Sequence, residues 1–529
     1  MPGGGLFSLV AYGAQNVLLS GNPDFTYFYK TYKKYAHFAE ESVTFSMDGS
    51  QELSYDQPIQ IRCKLQRIAD LVRDIYFVFD LPDIYCKFIQ LPYTVSYGTR
   101  TSQYNFSWVN YVGCHIIQSV GFYIGGQKIQ EFDGSYLIAK AQCDLETRQF
   151  QKWERLVGNV PELYDPANGI YAGGSTGTGY PLVYNNNGPA GSTTTPANVN
   201  RPSIQGRQIR VPLPFWFSES TFESLPLVSL QYHECEVRIT LRPINQLYRI
   251  LDSNGYQVAP GYQFNPSVIS IQPENVYYTA VSDITDITIN NFLTDIGTPK
   301  PLLNTWPLNP RIQLTFVYLT DEERTQFSSE PLQYLVRQIT RYDFEALTSR
   351  QLVELDTHNP IERMIILPRR SDSLPYRNQI TNFTNWINPR KPPFIPSSGG
   401  WPPNVNLTSS TGVFVLNGQR SILRTLAVLG DGNLLQEEKP IEYFTEIVPW
   451  KYITGIPEPG LVIYPFSLGS PSTQPRGSIN SSRIKNFQVD LDVYPLPSTN
   501  LYQYNISIYV ESLNWVNISS GMGGLKYAL

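Results

Sequence analysis

The chain has 529 residues, 41% of them hydrophobic and only 16% charged, against about 25% charged in an average soluble domain. That length exceeds what one core organises and predicts two domains or more. A net charge of −5 excludes a general affinity for phosphate backbones, which needs clustered Lys and Arg. With 36 Tyr, 26 Phe and 41 Pro, the composition favours pleated surfaces and frequent turns over long helices, and large contact areas.

In chain order, the start Met1-Pro2-Gly3-Gly4-Gly5 carries no charged region ahead of the short apolar stretch Leu6–Val10, so no secretory signal is expected. No apolar run reaches the ~18 residues of a membrane span. Val43, Phe45 and Met47 alternate with polar residues, as do Ile75, Phe77 and Phe79, and this period of two predicts strands. Ile124-Gly125-Gly126-Gln127 predicts a tight hairpin. Residues 136–157 lack Pro and Gly and predict a helix. Pro166 to Asn200 contains no charge and reads as a long loop. Cys235, Val237, Ile239 and Leu241 form the clearest alternating strand. The span 246–308 reads as a connector. Thr320 and Glu323 have capping-box spacing and predict a helix running through Phe327, Leu332, Leu335 and Val336. Asn388 to Gly412 is a second Pro- and Gly-rich loop, and Ile506, Ile508 and Val510 predict a late strand. One long loop in each half points to a sandwich repeated twice. Jelly rolls fit, and the pattern alone leaves two immunoglobulin-like sandwiches open.

Gly173 to Gly179 is rich in glycine but lacks the lysine and the strand–helix context of a phosphate loop. His233 and Cys235 fall on one face of a strand and Glu234 and Glu236 on the other, so two ligands at most would meet. His37, His115 and His358 are scattered, and no GxSxG or HExxH occurs. Glu40-Glu41 and Glu322-Glu323 read as solvated charges. No catalytic, cofactor-binding or metal-binding residues are assigned, and no cofactor is expected. The five cysteines (Cys63, Cys86, Cys114, Cys143, Cys235) form no CxxC pair and predict reduced, buried thiols. Phe25 to Phe38 interleaves aromatics with Lys30, Lys33 and Lys34. Read alone it could be a single-strand nucleic-acid platform, but three lysines in a net-acidic chain carry that weakly. Sequons at Asn105, Asn382, Asn406, Asn480, Asn505 and Asn517 read as incidental matches.

Several segments resemble the major capsid proteins of nucleocytoplasmic large DNA viruses. The opening GGGLFSLVAYGAQNVLLSGNPDFTYFYKTYKKYAHFAEES (3–42) is similar to that family's LVAYGAQD, TGNP and YRRHTNFA signature. LPFWFSESTFESLPLVSLQYHECEVRITL (213–241) resembles its PFWF and ALPLIALQYHEV pair. Tyr318-Leu319, Glu323-Arg324, Phe327 and Tyr334-Leu335 match its YL, ER, F and YL pattern. GSINSSRIKN (477–486) and SGMGGLKY (520–527) match its last two motifs. Asn16 in place of Asp and Tyr35-Ala36-His37 in place of His-Thr-Asn mark a divergent lineage.

The resemblance implies an all-β fold of two consecutive eight-stranded jelly rolls with long surface loops and a few short helices. The organisation expected is an N-terminal arm (1–24), a first jelly roll (25–245), a connector (246–308), a second jelly roll (309–519) and a C-terminal tail (520–529). It implies a structural subunit, not an enzyme, forming homotrimeric pseudo-hexameric capsomers of an icosahedral virion shell assembled in the host cytoplasm. The implied partners are further copies of the chain, minor capsid proteins and an internal membrane met through the N-terminal segment, and the host surface met through outer loops. No specific nucleic acid is among them. Two other readings compete: a minor, vertex or scaffold paralogue of the same fold, and a carbohydrate-binding or glycan-processing β-sandwich.

Overall fold

The structure is a computed structural model that describes residues 3–86, 88–91, 100–166, 202–251, 257–260, 262–264, 278–280, 287–294, 298–374, 378–385, 420–471, 473–496 and 502–527. The expected loops therefore fall outside the described residues at 167–200 and 388–412, as do Gly173–Gly179 and Asn406. What is described is one double jelly roll, two sandwiches that are mostly strand with a few short helices, and the sheets do not close into barrels.

The N-terminal sandwich faces a five-stranded sheet against a four-stranded one. In the first, Ala39–Ser46 pairs with Arg311–Tyr318, which pairs in turn with Leu71–Asp80. In the second, Cys235–Leu241 lies between Ile59–Lys64 and Ile117–Ile124, which turns into Gln127–Phe132. Cys235–Leu241 shows the strict burial alternation its sequence predicts, with Cys235, Val237, Ile239 and Leu241 in the core. The hairpin at 124–127 forms as expected. Gly125 and Gly126 take φ of 56° and 84°, the left-handed pair that a two-residue turn demands.

Three expectations are corrected. The strand Arg311–Tyr318, placed by sequence at the head of the second jelly roll (309–519), belongs to the first sandwich. The chain comes back to its first sheet after the 246–308 segment, a long-range pairing that local periodicity cannot register. The helix expected over 136–157 is two helices, Gly134–Asp144 and Thr147–Leu156, because Leu145 turns extended. The helix expected from Thr320 through Val336 stops at Ser329, ahead of Pro331, and Leu332–Leu347 is a 16-residue strand. The Thr320 side chain makes no cap hydrogen bond. Instead, the Asp70 carboxylate takes the Leu319 N–H at 2.9 Å and the Arg324 guanidinium at 2.8 Å.

The C-terminal sandwich faces a six-stranded sheet, built on Leu332–Leu347, Tyr504–Ser519, Pro360–Arg370 and Val462–Pro465, against a four-stranded one. Its two central strands are buried on both faces. Met364 and Ile366 point into the sandwich's own core, while Ile365 and Leu367 join the core of the N-terminal sandwich. Tyr504–Ser519 divides in the same way, with Ile506, Ile508 and Val510 inside and Tyr509 across the boundary. One apolar core thus runs through the junction, so the two sandwiches form a rigid unit.

Candidate assembly surface and the junction behind it

Among the described residues no group of His, Cys, Asp and Glu side chains could hold a metal ion. Two features stand out instead, a charged junction between the sandwiches and an exposed apolar N-terminal segment.

The junction is built on the helix Gly134–Asp144, wedged between the sandwiches. Asp133 caps it, accepting the Tyr136 N–H at 2.8 Å. The same carboxylate accepts Arg341 at 2.6 Å and the Tyr509 hydroxyl at 2.7 Å, both from the C-terminal sandwich. One turn on, the Tyr136 hydroxyl donates to Glu511 at 2.8 Å. Lys140 then bridges Asp144 and Glu219, each at 3.1 Å. Asp144 ends the helix and takes both terminal nitrogens of Arg363, at 2.6 and 2.9 Å, while the Arg363 Nε donates to Glu511 at 2.8 Å. Arg337 joins Glu362 at 2.7 Å and Glu219 at 3.2 Å.

Glu362 and Glu511 are 0% exposed and Arg363 is 2% exposed, so these charges depend on one another. Burial works against ionisation of Asp144, yet Arg363 and Lys140 beside it hold its carboxyl down at about 2. Gln130 and Gln338 complete the seam. Each donates its amide to a carbonyl across the boundary, Gln130 to Arg337 at 2.7 Å and Gln338 to Ile129 at 3.2 Å.

Glu223 sits at the margin of this network and, among the described residues, has no cation at ion-pair distance. Burial, then the neighbouring Glu219, push its carboxyl up from 4.5 to about 7, and Arg337 offsets only part of that. A carboxyl raised in the folded state favours folding while protonated. Its contribution is complete below pH 4.5 and is lost as pH rises through about 7. The Glu223→Gln variant should therefore be more stable than the parent at pH 8 and indistinguishable from it at pH 4.5. Urea unfolding at the two pH values checks this, and equal shifts at both would refute it.

Exposed apolar surface is most extensive at the N-terminus. Residues 3–38 lie exposed throughout, with two short helices, Gly4–Val10 and Ala14–Ser20. Leu19 is 93% and Phe28 98% exposed, and Leu6, Phe7, Leu18, Tyr27 and Tyr32 are nearly as open. Helices of two turns are not stable alone in water. The exposure does not stop at residue 24 but runs on through the aromatic and lysine-bearing stretch to Phe38. On the body, Trp450 is 86% exposed on the helix Val448–Tyr452. Sequence reading singled out neither Trp450 nor the Arg363 network, because a lone Trp and dispersed charges form no motif.

The candidate ligands separate. Cys235 is buried, while the His233 ring lies 2.9 Å from the Gly523 carbonyl. Glu234 pairs with Lys64 at the surface and Glu236 with Arg238. His37 is exposed on the arm, His115 is buried, and His358 stands beside Asp356. All five cysteines are buried and outside any disulfide, and burial drives the Cys63 thiol up to about 11. Glu40 pairs with Arg73, and Glu322 is exposed. Among the sequons, Asn382 is buried, and Asn105, Asn480, Asn505 and Asn517 lie in strands.

Comparison with known proteins accounts for this arrangement. Residues 26–277 match the family model "Major capsid protein N-terminus", and residues 323–524 match "Large eukaryotic DNA virus major capsid protein". The chain is 22% identical to the major capsid protein of Phaeocystis pouchetii virus, with 99% of each chain covered. It is 23% identical to that of Paramecium bursaria Chlorella virus 1, again with 99% of each covered. Its fold resembles the chain of the PBCV-1 virus capsid quasi-atomic model, with a TM-score of 0.61 at 20% identity over 95% of this chain and 100% of the other. The Faustovirus major capsid protein gives a TM-score of 0.60 at 13% identity over 97% and 96%. The chain belongs to the family of major capsid proteins of large eukaryotic DNA viruses, and is a structural, self-associating component of the virion capsid and not an enzyme.

Proposed function

We propose that three copies of the chain form a pseudo-hexameric capsomer and that such trimers tile an icosahedral shell. The observation that carries this is the shared core and ionic junction, which fix two similar sandwiches side by side in every subunit. Three rigid pairs give a six-sided outline. Purified protein should scatter light as a particle of three times the 60.1 kDa chain mass. A monomer persisting at high concentration would count against the capsomer.

The proposed boundary between the sandwiches lies after Tyr318, and Met522–Leu525, expected within a tail (520–529), pairs instead with Tyr504–Ser519 in the second sandwich. The N-terminal segment is assigned to contacts with minor capsid proteins and the internal membrane, since its apolar and aromatic side chains lie open. The 166–200 and 388–412 segments are assigned to the outer face, available to a host surface, because uncharged Gly, Asn, Ser and Thr suit solvent. Assembly is placed in the host cytoplasm, in keeping with buried cysteines that form no disulfide. Deleting residues 1–24 should leave the trimer and its melting temperature unchanged while abolishing growth into larger shells. Electron microscopy and light scattering read both outcomes, and a deletion that dissolves the trimer would overturn the assignment.

A further inference from the structure

Beside the wedged helix a cleft of ≈ 330 Å³ opens at the surface, walled by Ile75, Leu137, Ala141, Leu145, Trp153 and Leu213. Three elements meet there: the strand Leu71–Asp80 brings Ile75, the helix Gly134–Asp144 brings Leu137 and Ala141, and the helix Thr147–Leu156 brings Trp153. Pro471, from the C-terminal sandwich, stands in the same wall. Asp74, Lys140, Asp144 and Glu219 line it too, but each is already paired with another charge, Asp74 with Arg73 and Lys140 with the other two. What the cleft offers a ligand is therefore apolar and aromatic surface.

The same chain carries side chains of matching chemistry that lie in solvent. Tyr27, Phe28, Tyr29, Tyr32 and Tyr35 are all exposed, and no residue of 3–38 lines the cleft. The sheet register says where this segment heads. Ala39–Ser46 and Leu71–Asp80 both pair antiparallel with Arg311–Tyr318, so they run parallel to one another, two strands apart. Glu40 lies level with Val317 and through it with Leu71, while the cleft begins further along the second strand, at Asp74. Followed from Glu40 towards its N-terminus, the chain passes Leu71 and moves away from Asp74. Its own cleft lies behind it. The root of the segment is nonetheless fixed at the flank of the cleft, because Arg73 donates to Glu40 at 2.7 Å and to Asp74 at 3.0 Å.

We infer that the aromatic segment Phe25–Phe38 of one copy docks into this cleft on a second copy, with its rings packed on the apolar wall. Stretched out, the segment reaches about 45 Å, far enough to meet a neighbouring molecule. Tyrosine suits the place, since its ring covers apolar surface while its hydroxyl can donate to the lone pairs left on Asp74 and Glu219 at the wall. The charges of the wall are paired, so Lys30, Lys33 and Lys34 stay in water and the rings carry the contact. Each copy presents both a segment and a cleft, which makes the contact heterologous: it passes from copy to copy and either closes into a ring or extends through the lattice. Residues 3–24 are left for the contacts assigned to them above.

The test uses the full-length chain carrying Pro471→Cys, a loop position in the cleft wall, with a photoactivatable benzophenone attached to the new thiol. The five native cysteines are buried and escape the reagent. Isotope-labelled and unlabelled copies are mixed, irradiated and mapped by mass spectrometry. Cross-links should join position 471 of one copy to residues 25–38 of a copy with the other label. Phe28→Ser, Tyr29→Ser and Tyr32→Ser together should cut the yield of these links at least tenfold and leave the melting temperature unchanged, because the three side chains lie outside the fold. Links confined to a single chain, no links to residues 25–38, or a yield undiminished in the triple variant would overturn the docking. Light scattering on the same samples reads the trimer separately, so a trimer without the links overturns the docking and leaves the capsomer standing.

Discussion

Replacing Arg363 with methionine should destabilise the subunit by about 3–5 kcal/mol, the range for breaking a buried ion pair by removing one partner. Arg363 satisfies Asp144 with two nitrogens and Glu511 with a third, inside a region that is closed to water. Methionine fills much of the volume but leaves two carboxylates facing one another without a cation between them. Lys140 still reaches Asp144, so the larger share of the loss falls on Glu511, whose remaining donor is Tyr136. The triple variant Arg363→Met, Asp144→Asn, Glu511→Gln removes the orphaned charges and should recover most of the loss, because a buried ionic group can often be replaced by neutral groups at little cost. Urea midpoints followed by tryptophan fluorescence separate the cases. A single variant within about 1 kcal/mol of the parent would show that the network is not what holds the junction.

Gly134→Ala should be more damaging still. Gly134 opens the wedged helix, and a Cβ there would stand 1.9 Å from the Cys114 carbonyl oxygen and 2.9 Å from that of Ile117. Both are backbone atoms and cannot swing aside, so the helix would have to lift off the first sandwich. That would pull Asp133, Tyr136 and Asp144 from their partners across the junction. A loss of about 4 kcal/mol or more is expected, which in a chain of marginal stability appears as insoluble or aggregated product. Gly5→Ala, where no atom lies within 4 Å, is the control and should be silent. Soluble yield and the unfolding midpoint of the two variants decide the matter, and a soluble Gly134→Ala of parental stability would contradict the packing described.

Much of this molecule is legible in its sequence, and the reason is periodicity. Cys235–Leu241 has one face in a core and one towards polar neighbours, so its side chains alternate and betray the strand. The turn at Gly125-Gly126 is legible because its backbone demands residues that tolerate positive φ. The ordered motifs from residue 3 to residue 527 gave the family, and with it the fold and the structural role.

What the tertiary structure alone decided begins where a residue's partner is far away in the chain. Nothing near Arg311–Tyr318 says that it pairs with Ala39–Ser46, so sequence placed it in the wrong sandwich. Pro360–Arg370 and Tyr504–Ser519 bury both faces because each serves two cores, which flattens the alternation that marks an ordinary strand. Leu332 to Val336 fits a helix by spacing, but cross-strand pairing with Tyr334↔Val516 and Val336↔Asn514 overrides that preference. The charged junction was the least legible feature. Asp133, Asp144, Arg363 and Glu511 are spread over 379 positions and meet only when two sandwiches close on one helix, so their chemistry is a property of the packing and not of any segment.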